Sequence, residues 1–364
     1  MDTMNQGNQN LREIIGKYEA LAPIAEEHLQ SVLRDKNSPM MYYVTHRIKT
    51  VESIKGKLER KPEKYTAVSE LRDILGFRVV CLFQEDIDQI AEKIAGGFRV
   101  DRERSTDKRD LIDPTSFGYL SLHYIIALPD DEDYPEDLRN LWFEVQIRTI
   151  LQHVWAEIEH DLGYKSEFGV PRRVRRNFSR AASLLETADD VFTDIRQTLS
   201  HYKQDVVSSI ENDRAAELYL DAITITEFTS RSKKYLSLLG EIAAITGASI
   251  TEASPEGQLP QLGFLGIRTL GDLVEMIDRE HDTAIALAQE KLSGMELEEM
   301  SSTVAYYYLY RAMLVNSDYS PERIKEFFSL TSRNEKSIER NVRWILNARE
   351  AALRSRRLRS WREN

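Results

Sequence analysis

Between residues 10 and 60 the apolar positions recur at helical spacing, as in Leu11, Ile14, Ile15 and Tyr18, with Pro23 and Pro39 the main breakers, which predicts two helices. The period then shortens. Residues 77–83, from Phe77 through Val79 and Val80 to Phe83, are β-branched and aromatic, residues 119–128 are similar, and residues 141–149 alternate strictly, so these segments read as strands of one sheet. Gln84, Glu85 and Asp86 open a helix expected to run to Ile94, its acids suited to the positive end of the helix dipole. A short strand is expected around residues 98–102. Residues 130–137 carry six acids and one proline and read as a solvated hairpin loop rather than a site.

After Thr149 the helical period returns over residues 150–162 and 172–202 and continues in further helices to the C-terminus. Breakers at Ser254-Pro255-Glu256-Gly257 and at residues 316–321 divide this half, and Ser320 followed by Pro321 reads as an N-cap with proline at the first helical position. No repeat of fixed period is evident. The chain is therefore expected to join a mixed α/β half to an all-α half. The boundary is expected near residues 195–210, giving domains at 1–205 and 206–364.

Composition narrows the class. At 364 residues the chain is long enough for one large or two modest domains. Its 49 basic and 60 acidic residues give a net charge of −11, which argues against a protein that coats nucleic acid non-specifically. The single cysteine, Cys81, can form neither an internal disulfide nor a cysteine-based zinc site and suits a reducing compartment. The N-terminus lacks a basic-then-apolar leader, and no uncharged apolar run reaches membrane-spanning length. A soluble, cytoplasmic protein without a membrane segment is expected.

Three clusters carry candidate chemistry. On a helix, Lys49, Ser53 and Lys57 would share one face with Arg47 at its N-terminal edge, offering cations and a hydroxyl to a polyphosphate. Asp73, just before an apolar strand, suits Mg²⁺ beside substrate phosphates, and Arg78 could stack on a base. A blander alternative makes Asp73 a cap and Arg78 its ion-pair partner. On the third strand Glu144, Gln146 and Arg148 point one way and Val145 and Ile147 the other. Three polar groups on one strand face are costly to bury unpaired, so they plausibly line a ligand site. The helix that follows places His153, Glu157 and His160 at i, i+4 and i+7, without the His-Glu order of a zinc helix; a hydrogen-bonded or packing role is expected.

Taken together, the segments Arg47 to Lys57, Asp73 to Arg78, Gly118 to His123, and Glu144 to Thr149 continuing through Gln152, His153 and Glu157 to Tyr164-Lys165 resemble the synthetase domain of the RelA/SpoT family. The resemblance covers roughly residues 40–170. It implies an α+β fold, a mixed sheet flanked by helices and related to nucleotidyltransferases. It also implies an activity: transfer of the β,γ-diphosphate of ATP to the ribose 3′ hydroxyl of GDP or GTP, giving guanosine alarmones. By the same resemblance Arg47 and Arg78 would clamp adenine, and Lys49, Ser53 and Lys57 would hold the ATP phosphates. Asp73 and Glu144 would carry Mg²⁺, with Glu144 also the candidate base. Tyr119 would stack on the acceptor base, and His123, Lys108, Gln146 and Arg148 would complete the acceptor side.

The acceptor loop departs from the family pattern. Thr115, Phe117 and Leu120 stand where lysine, asparagine and arginine are usual, weakening the grip on an acceptor diphosphate. This leaves open an adenine nucleotide or the 3′ end of tRNA as acceptor, as in toxic relatives. The arginine runs at residues 172–180 and 354–359 could guide RNA phosphates, or pair with the chain's own acids. A third reading, a catalytically silent nucleotide sensor, fits poorly with retention of both Asp73 and Glu144. His281-Asp282 lacks further metal ligands and reads as surface. Tyr306, Tyr307, Tyr308 and Tyr310 read as core or interface. The helical region is open to regulation, homo-oligomerisation or antitoxin-like neutralisation.

Overall fold

The computed structural model describes residues 2–34, 42–60, 62–63, 65, 67–107, 121–163, 171–212 and 214–362, with side chains from residue 9 to 354. The chain divides into two compact units, Met1–Gln197 and Thr198–Asn364. In the first, helix α1 (Asp2–Leu33) precedes strand β1 (Tyr42–Ile48) and helix α2 (Val51–Arg60). Then come β2 (Leu75–Cys81), α3 (Glu85–Gly97), β3 (Arg99–Val100), β4 (Thr106–Asp107), β5 (Leu122–Ala127), α4 (Glu136–Arg139), β6 (Phe143–Thr149), α5 (Ile150–Gly163) and the start of α6 (Arg172–Glu211), a helix that continues past Gln197.

The two helices expected over residues 10–60 are corrected. A strand, β1, interrupts them, because Tyr42, Tyr43, Val44 and Thr45 are aromatic and β-branched and suit a pleated edge better than a helix. The sheet order is β1-β2-β6-β5-β3, with β4 also on β5. Only β2 and β6 run parallel in it; β1 with β2 and β5 with β6 are antiparallel. The sheet is therefore mixed.

Its two faces differ in chemistry. On one, Phe77 and Val79 of β2, Val145 and Ile147 of β6, and Leu122 and Ile126 of β5 are buried with Leu21, Ala25 and Leu29 of α1 and Ile87, Ile90 and Ile94 of α3. The strand period of two sends the intervening residues to the other face. There the register sets Arg47 beside Gly76 and Gly76 beside Glu144. One step along, Thr45, Arg78, Gln146 and His123 form the next row. Packing one face thus obliges the other to present the polar set.

The second unit is helical: α7 (Ala222–Arg231), α8 (Lys233–Ala244), α9 (Leu259–Phe264), α10 (Leu270–Leu292), α11 (Val304–Asn316), α12 (Pro321–Ser329) and α13 (Glu335–Arg362). The expectation of an all-α half misses one detail, a parallel pair of three-residue strands, β7 (Ser249–Thr251) and β8 (Glu299–Ser301). Ser320 caps α12 by accepting from the Arg323 amide, with Pro321 in the first turn. Tyr306, Tyr308 and Tyr310 are buried in the core with Tyr235, Leu273 and Phe327. Tyr307 is more exposed and lies 3.2 Å from the buried Arg311 guanidinium, measured to its ring centroid. Among the described residues no helix is long and apolar enough to cross a membrane.

In the first unit α6 meets β6 and α3 through polar groups. Asp189, 2% exposed, accepts from the Thr149 hydroxyl at 2.7 Å, and Arg196 pairs with Asp86 at 2.6 Å. Burial pushes the Asp189 carboxyl up to about 6, the Thr149 hydrogen bond only partly opposing it. The folded protein therefore binds this proton more tightly than the unfolded chain, and stability falls as pH rises from about 4 through 6. Asp189→Asn is expected to remove that slope. In urea unfolding the variant should gain about 2 kcal/mol on the wild type between pH 4 and pH 7; parallel profiles would refute the assignment.

Candidate active site

The site grows from the end of the sheet where the chain enters β2 and leaves β1. Lys49 follows β1 directly, its amide donating to the Ile74 carbonyl at 2.8 Å, while Lys57 lies on α2. The sequence pattern placed Arg47, Lys49, Ser53 and Lys57 on one helix; instead Arg47 sits on β1, Lys49 in the connection, and only Ser53 and Lys57 on α2. The function of the grouping survives the correction. Lys49 and Lys57 both donate to Oδ2 of Asp73, so a strand end and a helix deliver two ammonium groups to one carboxylate.

Burial alone would raise the Asp73 carboxyl, but Lys49 and Lys57 outweigh it and hold the group below the usual carboxylate range. Burial pulls the Lys49 ammonium below its ordinary value, against the attraction of Asp73. Asp73 and Arg78 are not partners, because Arg78 pairs with Glu157 instead. Oδ1 of Asp73 is buried and has no hydrogen-bond partner among the described residues.

Glu144 is fixed at both oxygens. His123 Nδ1 donates to Oε1 at 2.8 Å, and Gln146 Nε2 donates to Oε2 at 2.9 Å. The far side of the imidazole, Nε2, lies 2.6 Å from the hydroxyl of the buried Ser121. With Nδ1 donating to the carboxylate, Nε2 accepts from the Ser121 hydroxyl when the ring is neutral and donates to it when the ring is charged. Burial would raise the Glu144 carboxyl, yet the hydrogen bond and charge of His123, with the Gln146 amide, keep it below the usual range. Gly76 stands in register between Arg47 and Glu144, and a Cβ there would lie 4.0 Å from Glu144 Oε2.

Beside this pair a cleft of about 450 Å³ is lined by Arg47, Arg78, His123, Gln146, Arg148 and residues of α5. Three groups gather on Oε1 of Glu157: Arg78 Nη1 at 3.2 Å, Arg148 Nη2 at 3.8 Å and His153 Nδ1 at 3.9 Å. Burial, then the Arg148 charge, lowers the His153 pKa, against the attraction of Glu157. His281 lies outside this site, hydrogen-bonded to Glu241 and Asp282 in the helical unit.

The structure thus brings Arg47, Arg78, His123, Gln146 and Arg148 to one cleft and joins Lys49, Lys57 and Asp73 in one cluster. Ser53 makes no side-chain contact with that cluster and faces it only by its place one turn before Lys57. Lys108 and Tyr119, with Thr115, Phe117 and Leu120, lie outside the described residues. Two participants carried no role in the sequence reading, Ser121 and Glu157. A polar residue two before His123 on the same strand parity was the available signal for the first; the i, i+4 relation to His153 was the signal for the second.

Among the described residues no three His, Cys, Asp or Glu side chains cluster as a metal cage. Two carboxylates with an unsatisfied oxygen on one of them still suit Mg²⁺, which takes one or two protein carboxylates and completes its shell with water and phosphate.

A family model described as the region found in RelA / SpoT proteins matches residues 46–168. The GTP pyrophosphokinase YjbM of Bacillus subtilis (strain 168) is 32% identical over 163 residues, 44% of this chain and 74% of that protein. The GTP pyrophosphokinase YwaC of the same organism is 31% identical over 155 residues, 42% of this chain and 71% of its own length. Small alarmone synthetase 1 from Bacillus subtilis, solved bound to its product pppGpp, superposes with a TM-score of 0.45 at 26% identity, over 53% of this chain and 99% of that one. With the matched region lying inside the unit that carries the two carboxylates, and with two relatives aligned over more than two thirds of their length, the chain belongs to the RelA/SpoT family.

Proposed function

We propose that the N-terminal unit transfers the β,γ-diphosphate of ATP to the ribose 3′ hydroxyl of GDP or GTP. The observation that carries this reading is the pair of carboxylates: Asp73, held ionised by Lys49 and Lys57, and Glu144, held ionised by His123 and Gln146, which themselves line a cleft with Arg47, Arg78 and Arg148. Support also comes from the two relatives named GTP pyrophosphokinases.

In this reading Arg47 and Arg78 hold the donor base, and Lys49, Ser53 and Lys57 its phosphates. The lysines are pre-positioned: ATP phosphates would take over ammonium groups that otherwise neutralise Asp73. Glu144 receives the proton of the 3′ hydroxyl as its oxygen bonds to the β-phosphorus and the bond from that phosphorus to the α-bridging oxygen breaks, releasing AMP. His123 and Gln146 aim the carboxylate, and Ser121 fixes the His123 ring. Asp73 and Glu144 are the residues that would hold Mg²⁺, which when bound supplies positive charge to the transferring phosphates. Lys108 and Tyr119 are proposed acceptor contacts on the resemblance alone, with Arg148 orienting from beneath.

Two outcomes follow. Glu144→Gln keeps the shape and removes the base, so turnover is expected to fall by about 10²–10⁴ while ATP binding is retained; unchanged turnover would remove Glu144 from its role. With the full chain, Mg²⁺ and ATP labelled at the γ-phosphate, label is expected on GDP or GTP when these are offered beside ADP, ATP and tRNA. Label on tRNA or an adenine nucleotide instead would make Thr115, Phe117 and Leu120 the determinants of acceptor choice. Label on none would contradict the activity.

A further inference from the structure

We propose that Glu157 is a positioning residue for the donor base, holding the Arg78 guanidinium against the cleft wall on which that base stacks. The inference rests on the reading of Arg47 and Arg78 as the base-binding pair, and goes beyond it by assigning the residue that makes one of them rigid. Arg78 is a long side chain on an open sheet face, and an untethered arginine samples many rotamers that binding would have to freeze. Glu157 restricts that freedom beforehand: its carboxylate lies 3.2 Å from Arg78 Nη1, in a partly exposed ion pair.

Two further groups face the same carboxylate at longer range. Arg148, only 2% exposed, approaches the same Oε1 at 3.8 Å, and His153, one turn earlier on α5, at 3.9 Å. The carboxylate of α5 thus faces arginines of β2 and β6 at one point of the cleft, the Arg78 contact being the short one. Arg47 differs: it is exposed, and no carboxylate of the described residues lies within ion-pair distance of it. One arginine of the pair thus has a carboxylate partner and the other faces solvent. Glu159, two residues on, also lines the cleft but makes no ion pair with either arginine.

The test separates the base from the phosphates. Dissociation constants of ATP and of inorganic tripolyphosphate are measured by calorimetry on the full chain, without acceptor, for the wild type, Glu157→Gln and Glu159→Gln. The glutamine variants keep side-chain size, and a thermal melt checks that each folds. Glu157→Gln is expected to weaken ATP roughly tenfold and leave tripolyphosphate unchanged, whereas Glu159→Gln changes neither. Equal weakening of both ligands would show a general structural role, and an unchanged ATP constant would show no role; either overturns the inference. Wild-type protein that binds tripolyphosphate and ATP equally well would overturn instead the base-binding reading of Arg47 and Arg78.

Discussion

Everything at the site depends on keeping two partly buried carboxylates charged, Glu144 on the sheet and Asp73 just before β2. Taking a carboxylate out of water favours its neutral form, and a protonated Asp73 or Glu144 could neither bind a cation nor accept a proton. The fold solves this twice, with different means. Asp73 is held by full charges, Lys49 and Lys57, brought from the end of one strand and the face of a helix. Glu144 is held by directed hydrogen bonds from two neighbours in the sheet, His123 and Gln146. In the proposed reaction the first arrangement would be exchanged for phosphate oxygens, while the second fixes a direction.

The sheet makes both possible. Its apolar face, packed on α1 and α3, specifies register, since a slip of one residue would turn Phe77, Val79 and Val145 out to solvent and Arg78 and Gln146 into the core. Register in turn fixes the rows Arg47–Gly76–Glu144 and Arg78–Gln146–His123. Helix α5, which begins where β6 ends, returns Glu157 to the arginines of that face. Core packing and site geometry are thus one constraint seen from two sides.

Much of this was legible in the sequence. Strict alternation over β6 put Glu144, Gln146 and Arg148 on one face, and the same parity puts Arg78 beside Gln146. Strand β1 was not legible, because its residues neither alternate in burial nor form a continuous apolar run, and helical patterns flank it on both sides. The three-residue strands β7 and β8 are too short for any period to register. Among the site's partnerships, Lys49 and Lys57 were legible as anion-binding groups. Their sharing of Asp73 was not, because it joins residues 24 and 16 positions apart through tertiary structure. Glu157 was visible only as a helical neighbour of His153, since its arginine contacts come from two different strands.

The most direct test of the central claim follows the β-phosphorus. With ATP labelled there and GDP or GTP as acceptor, the account predicts that the label leaves the adenine nucleotide as a diphosphate on the ribose 3′ oxygen, with AMP formed in equal amount. Label remaining in ADP, with only the γ-phosphate lost, would contradict it.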